Sequence, residues 1–242
     1  MEKVIQIEHL SKAFGSNEVF KDINLELEKG ENKVILGKSG IGKSVLAKCI
    51  VGLIESDSGK ILVFDKNIPD LENDELDEIR RKVGYLFQGG ALYDSMSVRE
   101  NLKFPIRRTQ MSKHKDEVES LIEEALSSVG LLDVIDKMPS ELSGGMRKRV
   151  GLARTIIRKP QIILYDEPTT GLDPVTSGEI SELLLSIQEK YKTSSIIITH
   201  DMKCARITGN KLALIRSGII FAQGTYEDMA NSDDKSIRAY FN

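Results

Sequence analysis

An α/β architecture is what the 242-residue sequence predicts: a mostly parallel sheet, an antiparallel β layer at the N-terminal end and a helical subdomain inserted into the core. Three observations carry this. Short apolar runs without alternation, such as Val34-Ile35-Leu36, Ile162-Ile163-Leu164 and Ile196-Ile197-Ile198, read as strands covered on both faces. Segments of helical period separate those runs, the alternation that builds parallel sheets. Ahead of them, Ile23, Leu25 and Leu27 recur at every second position, as in a half-covered antiparallel strand.

In chain order, Val4, Ile5 and Ile7, then Val19, Phe20, Ile23, Leu25 and Leu27, belong to antiparallel strands, with Gly15-Ser16 and Lys29-Gly30 as turns. Residues 33–36 form a short buried strand that runs into glycine. From 43 to about 52, Val45, Leu46, Ala47, Ile50 and Val51 have helical spacing. Strands return at 59–63 and 83–87. Within the charged stretch 113–129, Val118, Leu121, Ile122, Ala125, Leu126 and Val129 fit a helix, and a second helix is expected over 145–158. Then come a strand at 161–165, an amphipathic helix at 175–191 and a strand at 195–199. Residues 211–215 and 218–222 form a hairpin about Arg216-Ser217-Gly218, and a short helix begins at Tyr226. One domain over 1–242 is expected: 1–88 and 159–242 form the core with its β layer, and 89–158 the helical subdomain.

Composition narrows the function. Apolar residues at 40% and charged residues at 29% suit a folded globular chain and argue against wholesale disorder. No apolar run approaches the ~18 residues of a membrane helix, so the chain is not expected to span a bilayer. Residues 1–6 lack the apolar region of a secretion signal. With 34 basic and 37 acidic residues, the net charge of −3 gives no reason to expect nucleic acid as partner. Cys49 and Cys204 lie far apart without CxxC spacing, so buried free thiols are expected, not a disulfide or a zinc site.

The chemistry begins at Gly37-Lys38-Ser39-Gly40-Ile41-Gly42-Lys43-Ser44, which fits G-x-x-x-x-G-K-[ST] between a strand and a helix that continues through Val45. Phosphates need donors that are already oriented. Glycines let the backbone wrap closely, with its N–H groups pointing inward at a helix start. Lys43 can neutralise β and γ charge, and the Ser44 hydroxyl can ligate Mg²⁺. A second acidic point supports a P-loop NTPase core. The strand 162–165 ends in Asp166-Glu167, at the crevice where such sheets bind ligands. Asp166 suits Mg²⁺ through water, and Glu167 suits polarising an attacking water.

Leu142-Ser143-Gly144-Gly145-Met146 opens the helix before that acidic strand and resembles the signature motif of ATP-binding cassette (ABC) ATPases, usually LSGGQ. The family's other motifs follow in order: Phe14 as aromatic loop, Gln88 as Q-loop, Gly171-Leu172-Asp173 as D-loop and His200 as switch histidine. The resemblance covers about 4–221. It implies ATP and Mg²⁺ as cofactors. It implies that Phe14 stacks on adenine, that Gln88 contacts Mg²⁺ and reports to a membrane partner, and that His200 holds the γ-phosphate and the Glu167 geometry. Ser143, Gly144 and Gly145 present bare N–H groups to the ATP of a second copy, giving a head-to-tail homodimer with Asp173 at its interface. Met146 replaces the usual Gln, so a side-chain contact from 146 is not expected, while the backbone donors remain. The basic run Arg147-Lys148-Arg149, with Arg154, Arg158 and Lys159, reads as a solvated helix face.

Residues 87–101, Phe87-Gln88-Gly89-Gly90-Ala91-Leu92-Tyr93 through Met96 and Asn101, together with 144–154, look like the Mla/Mce-type lipid transport ATPases of bacterial envelopes. That likeness implies an integral membrane permease docking near 88–101, an MCE-type lipid-binding protein in the complex, and a peripheral place on the cytoplasmic face of the inner membrane. Gly89-Gly90 would give a flexible backbone beside Gln88, and Ala91, Leu92, Tyr93 and Met96 an apolar docking patch. A transporter of an amino acid or drug on the same engine is the alternative. A non-transport ABC protein generally carries two cassettes or a coiled-coil insertion, neither of which is present. A GTPase is disfavoured because Asn210-Lys211 lacks the aspartate of NKxD.

Overall fold

The computed structural model describes residues 2–107 and 115–241. The chain begins with β1 (Lys3–Phe14), β2 (Asn17–Glu28), β3 (Asn32–Leu36), α1 (Lys43–Ile50), β4 (Ser58–Val63) and β5 (Lys66–Asn67). It continues through α2 (Asn73–Lys82), β6 (Val83–Leu86), α3 (Val98–Arg107), α4 (Lys115–Ser128) and α5 (Gly144–Ile156). Then follow β7 (Ile162–Asp166), α6 (Pro174–Tyr191), β8 (Ser194–Ile198), α7 (Met202–Thr208), β9 (Lys211–Arg216), β10 (Ile219–Gly224), α8 (Tyr226–Ala230) and α9 (Lys235–Arg238).

The strands join in the order β5-β4-β1-β2-β10-β9-β3-β8-β7-β6. From β9 to β6 every pairing is parallel. The β1, β2, β4 and β5 pairings are antiparallel. A single pair, Ile219 with Asp22, joins the two parts through β10 and β2. The turn between β9 and β10 uses Ser217 and Gly218, both at left-handed φ, the geometry of a tight two-residue hairpin.

Why the central strands carry no polar alternation is visible in where their side chains go. Ile35, Ile162, Leu164, Ile196, Ile198, Ala213 and Ile215 pack on one face, against α1 and the antiparallel layer. Val34, Leu36, Ile163, Tyr165, Ile197, Leu212 and Leu214 pack on the other, in the cluster that α4, α5 and α6 complete. Period two therefore persists, but both faces are apolar. Each fully buried Ile or Leu contributes about 1.5–3 kcal/mol by leaving water, so the strand ends that carry the site are rigidly held. Cys49 and Cys204 are buried free thiols, and burial pushes each up to about 11.

Four helices escaped the periodicity argument. α2 buries only Ile79, and its order comes instead from Asp74 and Glu75 in the first turn and Arg80, Arg81 and Lys82 in the last, which complement the helix dipole. α3 contains Pro105, normally a reason to read a break; Val98, Leu102 and Ile106 nevertheless bury one face. α7 and α9 are too short to show a period. The expected start of the middle helix at Lys113 lies outside the described residues.

Candidate functional site

β3 ends where the glycine-rich loop begins. Gly40 and Gly42 take left-handed φ of 79° and 104°, where a side chain is strained. A Cβ on Gly42 would also run into the Val19 side chain of the antiparallel layer. α1 starts at Lys43, and no side chain caps its first turn; the Val45 N–H bonds Gly42 O, which leaves the N–H groups of Lys43 and Ser44 to face an anion. Lys43 is 5% exposed. Its Nζ donates to the carbonyls of Gly37 at 2.8 Å and Lys38 at 3.1 Å and stands 3.7 Å from Glu167. Burial lowers the Lys43 ammonium below the ordinary lysine value, against the pull of Glu167 and Asp166. A triphosphate would add negative charge beside this desolvated cation, beyond what Glu167 and Asp166 supply.

The parallel register sets the acidic side of the site. β7 ends beside β8 and α1, so Ser44 Oγ donates to Asp166 Oδ1 at 2.7 Å. Tyr85 on β6 donates to Asp166 Oδ2 at 3.2 Å, and burial raises its phenol, keeping it a donor. Glu167, next in the chain, has φ 50°, a left-handed conformation costing about 1–2 kcal/mol for a non-glycine residue. Its N–H donates to Ile198 O at 2.8 Å. Thr170 Oγ1 donates to its Oε2 at 3.0 Å, and His200 Nδ1 lies 2.7 Å from the same oxygen. The carboxylate is thereby aimed by Thr170 and His200, with Lys43 facing its other oxygen.

The residues of the signature motif stand apart from this cradle. Ser143 caps α5 by accepting from Met146 N at 3.2 Å, and Ser143 and Gly144 are exposed. Among the described residues no hydrogen bond joins 143–145 to 37–45. Met146 turns its side chain onto the apolar core. A Cβ on Gly145 would come 2.8 Å from the Thr176 methyl, because Asp173 caps α6 there, accepting from Val175 N at 3.0 Å and Thr176 N at 3.1 Å. The Thr176 hydroxyl and these backbone donors hold the Asp173 carboxyl below its usual range. An open cleft of about 430 Å³ runs past Thr169, Gly171, Leu172 and His200.

Phe14, at the end of β1, is 48% exposed with Lys12 Nζ 5.2 Å from its ring centre. Gln88 is exposed. Beside it, Gly90 is buried at φ 75° and donates to Phe87 O at 2.8 Å, so the glycine pair forms a turn, with Gly89 exposed. Leu92 packs inward, while Tyr93 stays exposed against Phe104 and Arg154. A groove of about 160 Å³ opens here between Arg81, Tyr85, Phe87, Arg154 and Arg158.

The basic run corrects an expectation. Lys148 is not on a solvated face; it is 7% exposed and donates to Gln88 O and, at 3.2 Å, to Glu167 O. Arg149 bonds Val129 O and Glu179. Tyr85, Thr170 and Lys148 are the site's neighbours that the motifs did not name. A buried Lys within a basic tripeptide leaves no mark in sequence.

An anion cradle with a buried lysine at its centre, set against a carboxylate already aimed by a histidine, belongs to a P-loop nucleotide hydrolase. That is the class the fold and the site define. The chain belongs to the ABC transporter family, whose model matches residues 20–170. It is the ATP-binding, ATP-hydrolysing subunit of a membrane transporter. Among its relatives, the probable ribonucleotide transport ATP-binding protein mkl of Mycobacterium leprae is 39% identical over 98% of this chain and 68% of that protein. The intermembrane phospholipid transport system ATP-binding protein MlaF of Haemophilus influenzae is 37% identical over 98% of this chain and 89% of that protein. The methionine import ATP-binding protein MetN of Clostridium tetani is 35% identical over 93% and 70%. The solved dimer of the ATP-binding cassette MJ0796 in a post-hydrolysis state, bound to ADP and Pi, superposes with a TM-score of 0.82 at 30% identity, covering 91% of this chain and 98% of that one. Among the described residues no helix is long and apolar enough to cross a membrane.

Proposed function

We propose that this chain drives phospholipid movement across a bacterial envelope as a peripheral subunit on the cytoplasmic face of the inner membrane. Two copies face each other head to tail. ATP closes them, hydrolysis opens them, and an attached permease with an MCE-type lipid-binding protein moves the lipid. The supporting observation is that, within one chain, no hydrogen bond among the described residues joins the phosphate cradle at 37–45 to the residues 143–145, of which Ser143 and Gly144 are exposed. Each copy lends the second half of the other's site, so the closed state binds ATP more tightly than the open one, which is the differential affinity that drives a conformational change.

In this reading Phe14 stacks on the base, and the backbone of Gly37, Lys38, Ser39, Gly40, Ile41, Gly42 and Val45 surrounds the phosphates with Lys43. Ser143, Gly144 and Gly145 of the second copy complete the γ-phosphate shell, with Asp173 at the contact. Glu167 takes a proton from water as its oxygen attacks the γ-phosphorus and the bond to the β–γ bridging oxygen breaks, leaving ADP and phosphate. With Nδ1 protonated, His200 donates to Glu167 and keeps the carboxylate turned toward that water. Mg²⁺ suits the donor set: one hydroxyl and one carboxylate bonded at 2.7 Å, with the exposed Gln88 amide as a further oxygen donor. Ser44, Asp166 and Gln88 would hold it, and it would supply neutralisation of phosphate charge.

The permease would dock at 88–101 over the groove rimmed by Arg81, Arg154 and Arg158. Lipid as cargo is supported by that stretch and by the MlaF and mkl relatives. The MetN relatives, at similar identity, favour an amino acid as second reading. Purifying the tagged chain from membranes decides between them. A co-purifying permease carrying phospholipid supports the first, and a permease without lipid that binds methionine supports the second. Glu167→Gln is expected to lower ATP turnover at least 100-fold, within the reach of a general base, while an ATP-dependent dimer accumulates. Normal hydrolysis by that variant overturns the mechanism.

A further inference from the structure

One face of α5 carries Lys148, Gly151 and Arg154 at intervals of three, so they align along the helix. Segment 87–91 lies along that face. Lys148 Nζ donates to Gln88 O and Arg154 to Ala91 O. Between them, Gly151 lets the backbone of Gly90 approach so closely that a Cβ would meet Gly90 O at 3.1 Å. Ala91 adopts φ 50° in this fit. The far end of the same stripe reaches the site, because the Lys148 amine also donates to Glu167 O at 3.2 Å.

Among the described residues no carboxylate lies within ion-pair distance of Lys148; its amine bonds two carbonyls and feels Glu167 and Asp166 only at longer range. A buried ammonium without a paired carboxylate is costly, and burial lowers its pKa. A neutral apolar side chain would fill this space at less expense. What the amine adds is a shared donor for two backbones that lie 79 residues apart in sequence and belong to different parts of the site, at 88 and 167.

We propose that Lys148 is a positioning residue: one buried amine ties the backbone of Gln88 to that of Glu167, so that a displacement of segment 88–91 is passed to the carboxylate that faces the attacking water. The proposal rests on the reading of Glu167 given above. Lys148 touches neither base nor phosphate. It acts on where Glu167 stands, in concert with Thr170, which holds the carboxylate at its other end.

The test is steady-state ATP hydrolysis by the purified full chain carrying Lys148→Met, Thr170→Val, or both. For Lys148→Met, kcat falls roughly 10- to 100-fold, KM for ATP stays within about threefold, and the ATP-dependent rise in Tm is kept. The double variant is little worse than the more damaged single one, since both substitutions loosen the same carboxylate. Independent, multiplicative losses, a KM that rises as kcat falls, or wild-type kcat overturns the proposal. Should Lys148→Met not fold, Lys148→Gln, a shorter neutral donor, is put through the same cycle with the same criteria. The Glu167→Gln measurement stands separately: full activity there removes the reading of Glu167, whereas full activity of the Lys148 variants removes only the link.

Discussion

The two anion-facing ends of this molecule are built on opposite principles. At the phosphate loop, charge is buried and held by internal surrogates: Lys43 on two carbonyls, Ser44 on Asp166, Glu167 on Thr170 and His200. At the signature motif there is no buried charge, only an exposed serine and glycine at the start of α5, braced from behind by Thr176. The first end is preorganised to bind and react. The second offers neutral backbone donors that cost little to leave in water. In the proposed cycle of opening and closing this asymmetry keeps the cost down, because exposing a desolvated charge each time would be far more expensive than exposing N–H groups.

Substitutions that break each end should differ in kind. Lys43→Met removes the charge that meets the phosphates, so ATP affinity should fall by about 2–3 kcal/mol, roughly 30- to 150-fold. The ATP-dependent shift in Tm should vanish at millimolar nucleotide, while the nucleotide-free Tm holds or rises, since the buried amine carries a desolvation penalty. A lower nucleotide-free Tm would contradict the picture of a strained cradle.

At the other end, Gly145→Ala forces the Thr176 methyl to yield from 2.8 Å. Overpacking of this sort costs about 1–3 kcal/mol, read as a lower denaturation midpoint together with weaker ATP-dependent dimerisation. Gly144→Ala meets only an ordinary 3.6 Å contact with Leu172 and should leave stability within about 0.5 kcal/mol or improve it. Equal effects from the two would show that Thr176 is not the brace.

Phe14→Ala should raise KM for ATP by about 1–2 kcal/mol, the worth of one stacked base, with kcat within twofold. Inorganic triphosphate, which has no base, should bind the variant as it binds the wild type.

The smallest effect concerns the loop that carries Phe14. Asp57 accepts from Lys12 Nζ and from Ala13 N, each at 2.6 Å, and these bonds, that from Lys12 foremost, hold its carboxyl below the ordinary value of 3.8. A depressed acid stabilises the fold above its unfolded pKa and loses that contribution as pH falls through the folded one. Thermal melts taken from pH 6 downward should therefore show a slightly shallower acid loss for Asp57→Asn than for wild type, beginning near pH 4.

The motifs were legible because their chemistry needs fixed residue types at short spacing. Gly40 and Gly42 are glycines for backbone reasons, Lys43 and Ser44 follow at the helix start, and Asp166 and Glu167 end an unmistakable strand. Strand positions were equally readable, since runs such as Ile196-Ile197-Ile198 have few other fates. Helices α2 and α3 were not, because charge complementarity orders one, and packing overrides Pro105 in the other. The basic run at 147–149 misled for a related reason: an amphipathic Lys within a charged stretch is normally solvated, and only the approach of segment 87–91 buries Lys148.

What the amino-acid order settled by itself was the class of chemistry and the covering of the central strands, both of which depend on neighbours within a few residues. What tertiary structure alone decided was convergence. Ser44 meets Asp166 across 122 residues, and Lys148 meets Glu167 from a different helix, because parallel register aligns strand ends and helix packing chooses which side chains face inward. Local sequence carries no term for such distances, so their partners become visible only when the chain is folded.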